Sequence, residues 1–228
     1  MELLRGNLDD ENRRGKISAD EALLVLSQGL LALQYLHAQG YAHRDIKPAN
    51  ILVQSRRPMH IKLADFGVSQ DVSALVTICG TSMYHAPELW AIAASSPDRR
   101  KRRLGGRSKT YTTAVDIWAL GVVIVQLVYR RPSMASSDPQ NWPKIIVKAV
   151  NDLETDPLVE LLRAHMLAED YSLRSSAADC LQRLSAISKQ ASDGANLRLG
   201  SGEDAIHERP QDQLPAKKHR RSERIHKG

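Results

Sequence analysis

The densest chemistry in the sequence is His43-Arg44-Asp45-Ile46-Lys47-Pro48-Ala49-Asn50. These eight positions offer a carboxylate, two fixed cations, a carboxamide and a proline that restricts the loop. An Asp can orient a hydroxyl nucleophile and take its proton. A Lys two residues on can meet the charge on a moving phosphoryl group, and an Asn can hold a metal ion. The set suits phosphoryl transfer. Further on, Asp65-Phe66-Gly67 adds a second oxygen ligand, with a glycine that permits unusual backbone dihedrals.

Those groups need a frame. Ser18 and Glu21 form an S-x-x-E capping box ahead of Leu23, Leu24, Leu26, Leu30, Leu31, Leu33 and Leu36, which recur at helical spacing up to Gly40. The pattern predicts a helix of about 20 residues with a broad buried face. Ile51–Val53 and Ile61–Leu63 read as strands of a small hairpin that brings Asn50 and Asp65 together. Thr112 or Thr113 can cap Ala114–Tyr129, which is apolar on most sides and so belongs at the centre of a domain. Lys144–Asn151 reads as a short helix. Pro157 can start another, with Leu158, Leu161, Leu162 and Leu167 on one face, and a last helix runs through Ser188. Met1–Gly15 is polar and broken by Gly6, Asn7 and Gly15. From 189 to 228 Gly, Ser, Pro and charge dominate, so this segment is expected to be a disordered basic tail.

A chain of 228 residues with 42% hydrophobic content can bury one sizeable core. Cys79 and Cys180 are its only cysteines, which argues for a reduced, intracellular compartment rather than a disulfide scaffold. The most apolar run, Ile117–Val128, falls short of the roughly 18–20 residues that span a bilayer, so no membrane association is expected. The net charge of +6 arises in two appendages. Residues 97–109 hold seven Lys/Arg against Asp98, and 217–228 hold six against Glu223, so the remaining body is mildly acidic. The clusters Arg99–Arg103 and Lys217–Arg221 are either solvated surface or nuclear-import signals, consistent with a cytoplasmic or nuclear protein. Neither has interleaved aromatics, which argues against a nucleic acid partner read by base stacking.

Taken in order, His43–Asn50, Asp65–Gly67, Gly80–Glu88, Asp116–Gly121 and Arg174 resemble the C-terminal lobe of a eukaryotic protein kinase of the serine/threonine type, over roughly residues 1–188. The resemblance implies a mainly α fold with a short β-hairpin at the catalytic site, using ATP and Mg2+ on protein Ser/Thr substrates. It makes Asp45 the catalytic base, Lys47 the phosphate-stabilising cation, and Asn50 and Asp65 the magnesium ligands. Leu52 resembles the residue beneath the adenine, and His43 and Phe66 the stacked members of a hydrophobic spine. Asp116 resembles the residue that bonds the catalytic-loop backbone, and Glu88 with Arg174 the family's buried ion pair. Arg44 beside Asp45 resembles kinases switched by an upstream kinase, with Thr77 at the usual phosphosite and Ser69 and Ser73 as further candidates. A solvated loop threonine is the alternative. Ala49 and Gln126 stand where basic-directed kinases often carry Glu, so weak selection for an upstream Arg is expected.

The sequence also departs from the family. It contains no G-x-G-x-x-G, no V-A-I-K lysine and no glutamate-bearing helix to pair with it, so the N-terminal β lobe is expected to be absent. Glu2–Leu8 resembles the segment just after the hinge between lobes. With the phosphates uncovered, the chain alone is expected to have little or no activity. The competing reading is a noncatalytic interaction module with the same lobe. In either case apolar surface around His43, Leu52 and Phe66 is expected to be exposed and to favour association.

Overall fold

The computed structural model describes residues 4–66, 70–71, 82–95, 112–130 and 141–193. Gly67, Ser69, Ser73, Thr77, Cys79, Gly80, Thr81, the basic insert 97–109 and the tail from 194, with its cluster 217–221, lie outside the described residues.

The fold is mainly helical. After a two-residue strand β1 (Gly6–Asn7) come α1 (Leu8–Arg14), α2 (Ala19–Ala38) and a second short strand β2 (Tyr41–Ala42). The hairpin β3 (Ile51–Arg56) and β4 (Met59–Leu63) follows, then β5 (Gln70–Asp71), α3 (Pro87–Ser95) and α4 (Ala114–Tyr129). The chain closes with α5 (Trp142–Asn151), α6 (Pro157–Glu160) and α7 (Ala177–Asp193). One small antiparallel sheet has the order β1-β3-β4, and β2 pairs with β5 in a second.

Helix α4 is the pillar. Every residue from Val115 to Val125 is buried, including Asp116 and Gly121. Each large aliphatic side chain removed from water there contributes about 1.5–3 kcal/mol, which explains why the most apolar segment takes the centre. Helix α2 packs along it. Its start has both halves of the capping box: the Glu21 amide donates to Ser18 Oγ at 3.1 Å and the Ser18 amide to Glu21 Oε2 at 2.8 Å. Its end turns at Gly40, whose φ of +79° lies in the left-handed region glycine adopts freely.

The buried face of α2 is narrower than its leucines suggest. Ala22, Val25, Leu26, Gly29, Leu30 and Leu33 are buried, whereas Leu24 and Leu31 are 41% and 55% exposed. Leu24, Leu31 and Tyr35 share the opposite side of a helix with 3.6 residues per turn. The Gln28 amide extends the packing into the hairpin, donating to Met59 O at 2.8 Å and accepting from the Ile61 amide at 2.9 Å.

Other boundaries also shift. The hairpin strands run longer than their apolar cores, with an irregularity between Val53 and Ser55. Helix α1 occupies a stretch that polarity marks as broken. Asn7 Oδ1 caps it by accepting from the Asp10 amide at 2.9 Å, with acids in its first turn and Arg13 and Arg14 in its last. Helix α5 begins at Trp142, and α6 passes into a wider π-helical turn over Leu161–Met166. Helix α7 continues beyond Ser188 to Asp193. Cys180 is buried in the core, and that burial pushes its thiol up to about 12, leaving it protonated and unreactive near neutral pH. No helix among the described residues is long and apolar enough to cross a membrane.

The approach of α2 to α4 is testable. A Cβ on Gly29 would lie 3.1 Å from both Leu120 methyl groups. Gly29→Val is therefore expected to destabilise the protein by about 1–3 kcal/mol through overpacking. A urea melt should show a lower midpoint at unchanged slope.

Candidate active site

The catalytic-type loop runs from β2 to β3, and its shape is set from below by Asp116 on α4. Asp116 Oδ2 accepts the His43 amide at 2.8 Å, and Oδ1 accepts the Arg44 amide at 2.8 Å. His37 Nε2 meets the same Oδ2 at 2.8 Å. Arg44 has φ +72°, a conformation that costs a non-glycine residue roughly 1 kcal/mol or more and persists only where its surroundings hold it. The Asp116 clamp supplies that hold.

Within the loop the functional groups converge on Asp45. Its Oδ2 accepts Lys47 Nζ at 2.7 Å and Asn50 Nδ2 at 2.8 Å. Asn50 Nδ2 also donates to the Asp45 carbonyl at 2.9 Å, and the 3-10 turn Pro48–Asn50 keeps Asn50 buried beneath it. Asp45 Oδ1 accepts no hydrogen bond among the described residues. One carboxylate oxygen is thus fixed by two donors and the other is left to accept a further hydrogen bond.

The hairpin brings Asp65 to the same end of the site. Ala64 N donates to Asn50 O at 2.9 Å, so Asp65 begins one residue beyond the rung that holds Asn50. Asp65 is exposed with φ +63°, and its carboxylate makes no hydrogen bond or ion pair among the described residues. The Asn50 Oδ1 is equally uncommitted, because its amide nitrogen makes both bonds to Asp45. Two hard oxygen donors of this kind fit magnesium, which takes one or two protein ligands and completes its shell with phosphate and water. No cluster of three or more His, Cys, Asp or Glu side chains suited to a metal occurs among the described residues.

His43 and Phe66 come into ring contact, with centroids 5.0 Å apart at 50°. Their environments differ. Phe66 is 51% exposed, but His43 is fully buried with Nε2 bonded to Ala64 O at 3.0 Å, so His43 is not part of the expected open apolar surface. Leu52 is half-buried on β3 opposite Lys62 and Asn7. Ala49 is exposed, while Gln126 is engaged, its Oε1 accepting the Tyr84 hydroxyl at 3.0 Å. Burial holds the Tyr84 phenol well above its ordinary pKa, so it donates at all physiological pH values.

The far wall is tied by Glu88 and Arg174. Arg174 Nη1 and Nη2 reach the two Glu88 oxygens at 2.7 and 2.8 Å. Arg174 also donates to Ala168 O at 2.8 Å and Ala114 O at 3.1 Å, and its guanidinium lies 4.9 Å over the Trp118 ring. Every part of that guanidinium is used.

His37 is the site residue that sequence reasoning missed. It completes the Asp116 clamp from the last turn of α2. The available signal was its position at a helix end just before the loop.

Removing Arg174 would leave Glu88 partly buried and unpaired. Arg174→Ala is expected to cost about 3–5 kcal/mol, read as a lower urea midpoint. Arg174→Lys should recover only part of that loss, because an ammonium cannot form the bidentate pair.

The family model of the protein kinase domain matches residues 1–186. Serine/threonine-protein kinase pakH of Dictyostelium discoideum is 30% identical over 185 residues, 72% of this chain and 33% of that protein. Serine/threonine-protein kinase RAD53 of Saccharomyces cerevisiae is 33% identical over 153 residues, 64% of this chain and 18% of that protein. Calcium/calmodulin-dependent protein kinase type 1B of Rattus norvegicus is 33% identical over 196 residues, 81% of this chain and 52% of that protein. The chain thus spans from under a fifth to about half of these relatives. Its loop, hairpin and central helix are those of a family member, and the chain belongs to the eukaryotic protein kinases.

Proposed function

We propose that the chain carries the catalytic lobe of a serine/threonine kinase, transferring the terminal phosphoryl group of ATP to Ser/Thr hydroxyls of proteins. The observation that carries this reading is the Asp45 carboxylate, with Oδ2 pinned by Lys47 and Asn50 and Oδ1 without a hydrogen-bond partner among the described residues. In that reading Oδ1 accepts the proton of the substrate hydroxyl and orients its oxygen. Lys47, already 2.7 Å from Asp45, holds the carboxylate in position and lends its charge to the phosphoryl group in transit. Asn50 and Asp65 would hold magnesium, which when bound neutralises charge on the phosphate oxygens. Leu52 would pack beneath the adenine.

Regulation follows the same logic. A phosphate placed on Thr77 by an upstream kinase would pair with Arg44 and order the segment around it. The basic clusters at 99–103 and 217–221 would serve as import signals for a protein working in cytoplasm and nucleus.

Full turnover needs more than these residues. This sequence contains no Gly-rich loop and no V-A-I-K lysine, so the 228-residue chain by itself is expected to turn over well below about 1 s⁻¹, the low end for kinases. Two measurements test the reading. Thermal shift with ATP should show stabilisation that requires magnesium and disappears in Asp65→Ala. Label transfer from ATP to a mixed protein substrate should fall by about 10²-fold or more in Asp45→Asn. Absence of any magnesium-dependent nucleotide binding would favour the noncatalytic interaction module instead.

A further inference from the structure

A cavity of about 720 Å³ opens where α1 faces the β3–β4 turn, and shares no residue with the His43–Asn50 loop. Arg5, Arg14, Arg56 and Arg57 line it, against a single carboxylate, Glu11. Their partners differ. Arg56 is fully engaged: Nε and Nη2 hold Glu21 at 2.7 and 3.1 Å, and it donates to Lys16 O at 2.6 Å and Glu11 O at 3.3 Å. Glu11, 1% exposed, accepts Arg14 Nη1 at 2.7 Å and lies 3.5 Å from Arg5 Nε. Arg57 is exposed and makes no hydrogen bond or ion pair among the described residues.

The charge balance then decides the ligand. Glu21 neutralises Arg56, and Glu11 neutralises one of the other three arginines. Among the lining side chains two positive charges remain, and Asp10 of α1, outside the lining, also feels the charge of Arg14. Arg5 and Arg14 are 55% and 58% exposed, so each keeps N–H groups facing solvent while Glu11 fixes its position. Paired guanidinium forks held in place match a phosphomonoester dianion, in charge and in bidentate geometry. The volume falls in the range of about 300–1,000 Å³ typical of pockets for larger ligands, so the phosphate would be carried on a bigger body. No aromatic side chain among the described residues lines the cavity, which argues against the stacking that nucleotides and single-stranded nucleic acids use. The Gln54 amide at its edge offers both a donor and an acceptor to a peptide backbone.

We infer that this cavity is a docking pocket for a phosphorylated serine or threonine side chain on a partner polypeptide. It rests on none of the residues of the His43–Asn50 loop and holds whether or not the chain transfers phosphate itself.

Fluorescence anisotropy of the full chain tests it, using a degenerate phosphoserine peptide pool and the same pool unphosphorylated. The phosphorylated pool should bind about tenfold or more tightly than its counterpart, as expected for charge-assisted contacts. Arg57→Ala should weaken it about tenfold and Arg57→Glu abolish it, with circular dichroism and melting temperature unchanged. Arg57 is chosen because Arg14→Ala would strand a buried carboxylate and could unfold α1. Excess ATP with magnesium should not displace the pool. Equal affinity for the two pools, no detectable binding, indifference to Arg57→Ala, displacement by ATP and magnesium, or tighter Arg57-dependent binding of single-stranded RNA would each overturn the proposal.

Discussion

Burying a carboxylate costs several kcal/mol unless each oxygen is met by a donor. Asp116 is fully buried inside the most apolar helix of the protein, and it is met three times, by two loop amides and a histidine. The arrangement works in both directions. The amides stabilise the carboxylate, and the carboxylate holds Arg44 in a left-handed conformation that a non-glycine residue would otherwise leave. With Arg44 fixed, the chain turns so that Asp45, Lys47 and Asn50 close on one another. The geometry of the loop thus hangs from one side chain on α4.

The rest of the fold keeps α4 where that clamp needs it. Gly29 lets α2 lie against Leu120, which sets His37 at the right height to reach Asp116. Gln28 ties α2 to β4, and the hairpin in turn carries Asn50 and Asp65 to one end. The Glu88–Arg174 pair, backed by Trp118, anchors the start of α3 to the same helix. Packing and polar contacts therefore act on one target: a loop that, with Asp65 at the end of the hairpin, gathers side-chain oxygens of Asp45, Asn50 and Asp65 that accept no hydrogen bond among the described residues.

Much of this was legible in sequence, for definable reasons. The capping box at Ser18 and the unbroken apolar run of α4 are local signals, and both elements begin where those signals place them. The loop residues were legible because their chemistry is concentrated in eight positions. What escaped depends on contacts distant in sequence. Leu24 and Leu31 look as apolar as Leu26 and Leu30, and only the side on which α4 packs decides which are buried. Helix α1 was hidden because its seven residues carry little apolar pattern and rest on an Asn7 cap and a buried Glu11. His37 gave no local sign of its partner, which lies 79 residues away in the sequence.

The central claim is that Asp116 holds the loop folded before any ligand arrives. Amide hydrogen exchange at His43 and Arg44 tests it most directly, in the free protein and in Asp116→Ala. The account predicts that both amides exchange only through global unfolding in the native chain, and through local opening in the variant while the α4 core stays protected. Rapid exchange of these two amides in the native chain would contradict it, as would protection unchanged by the loss of Asp116.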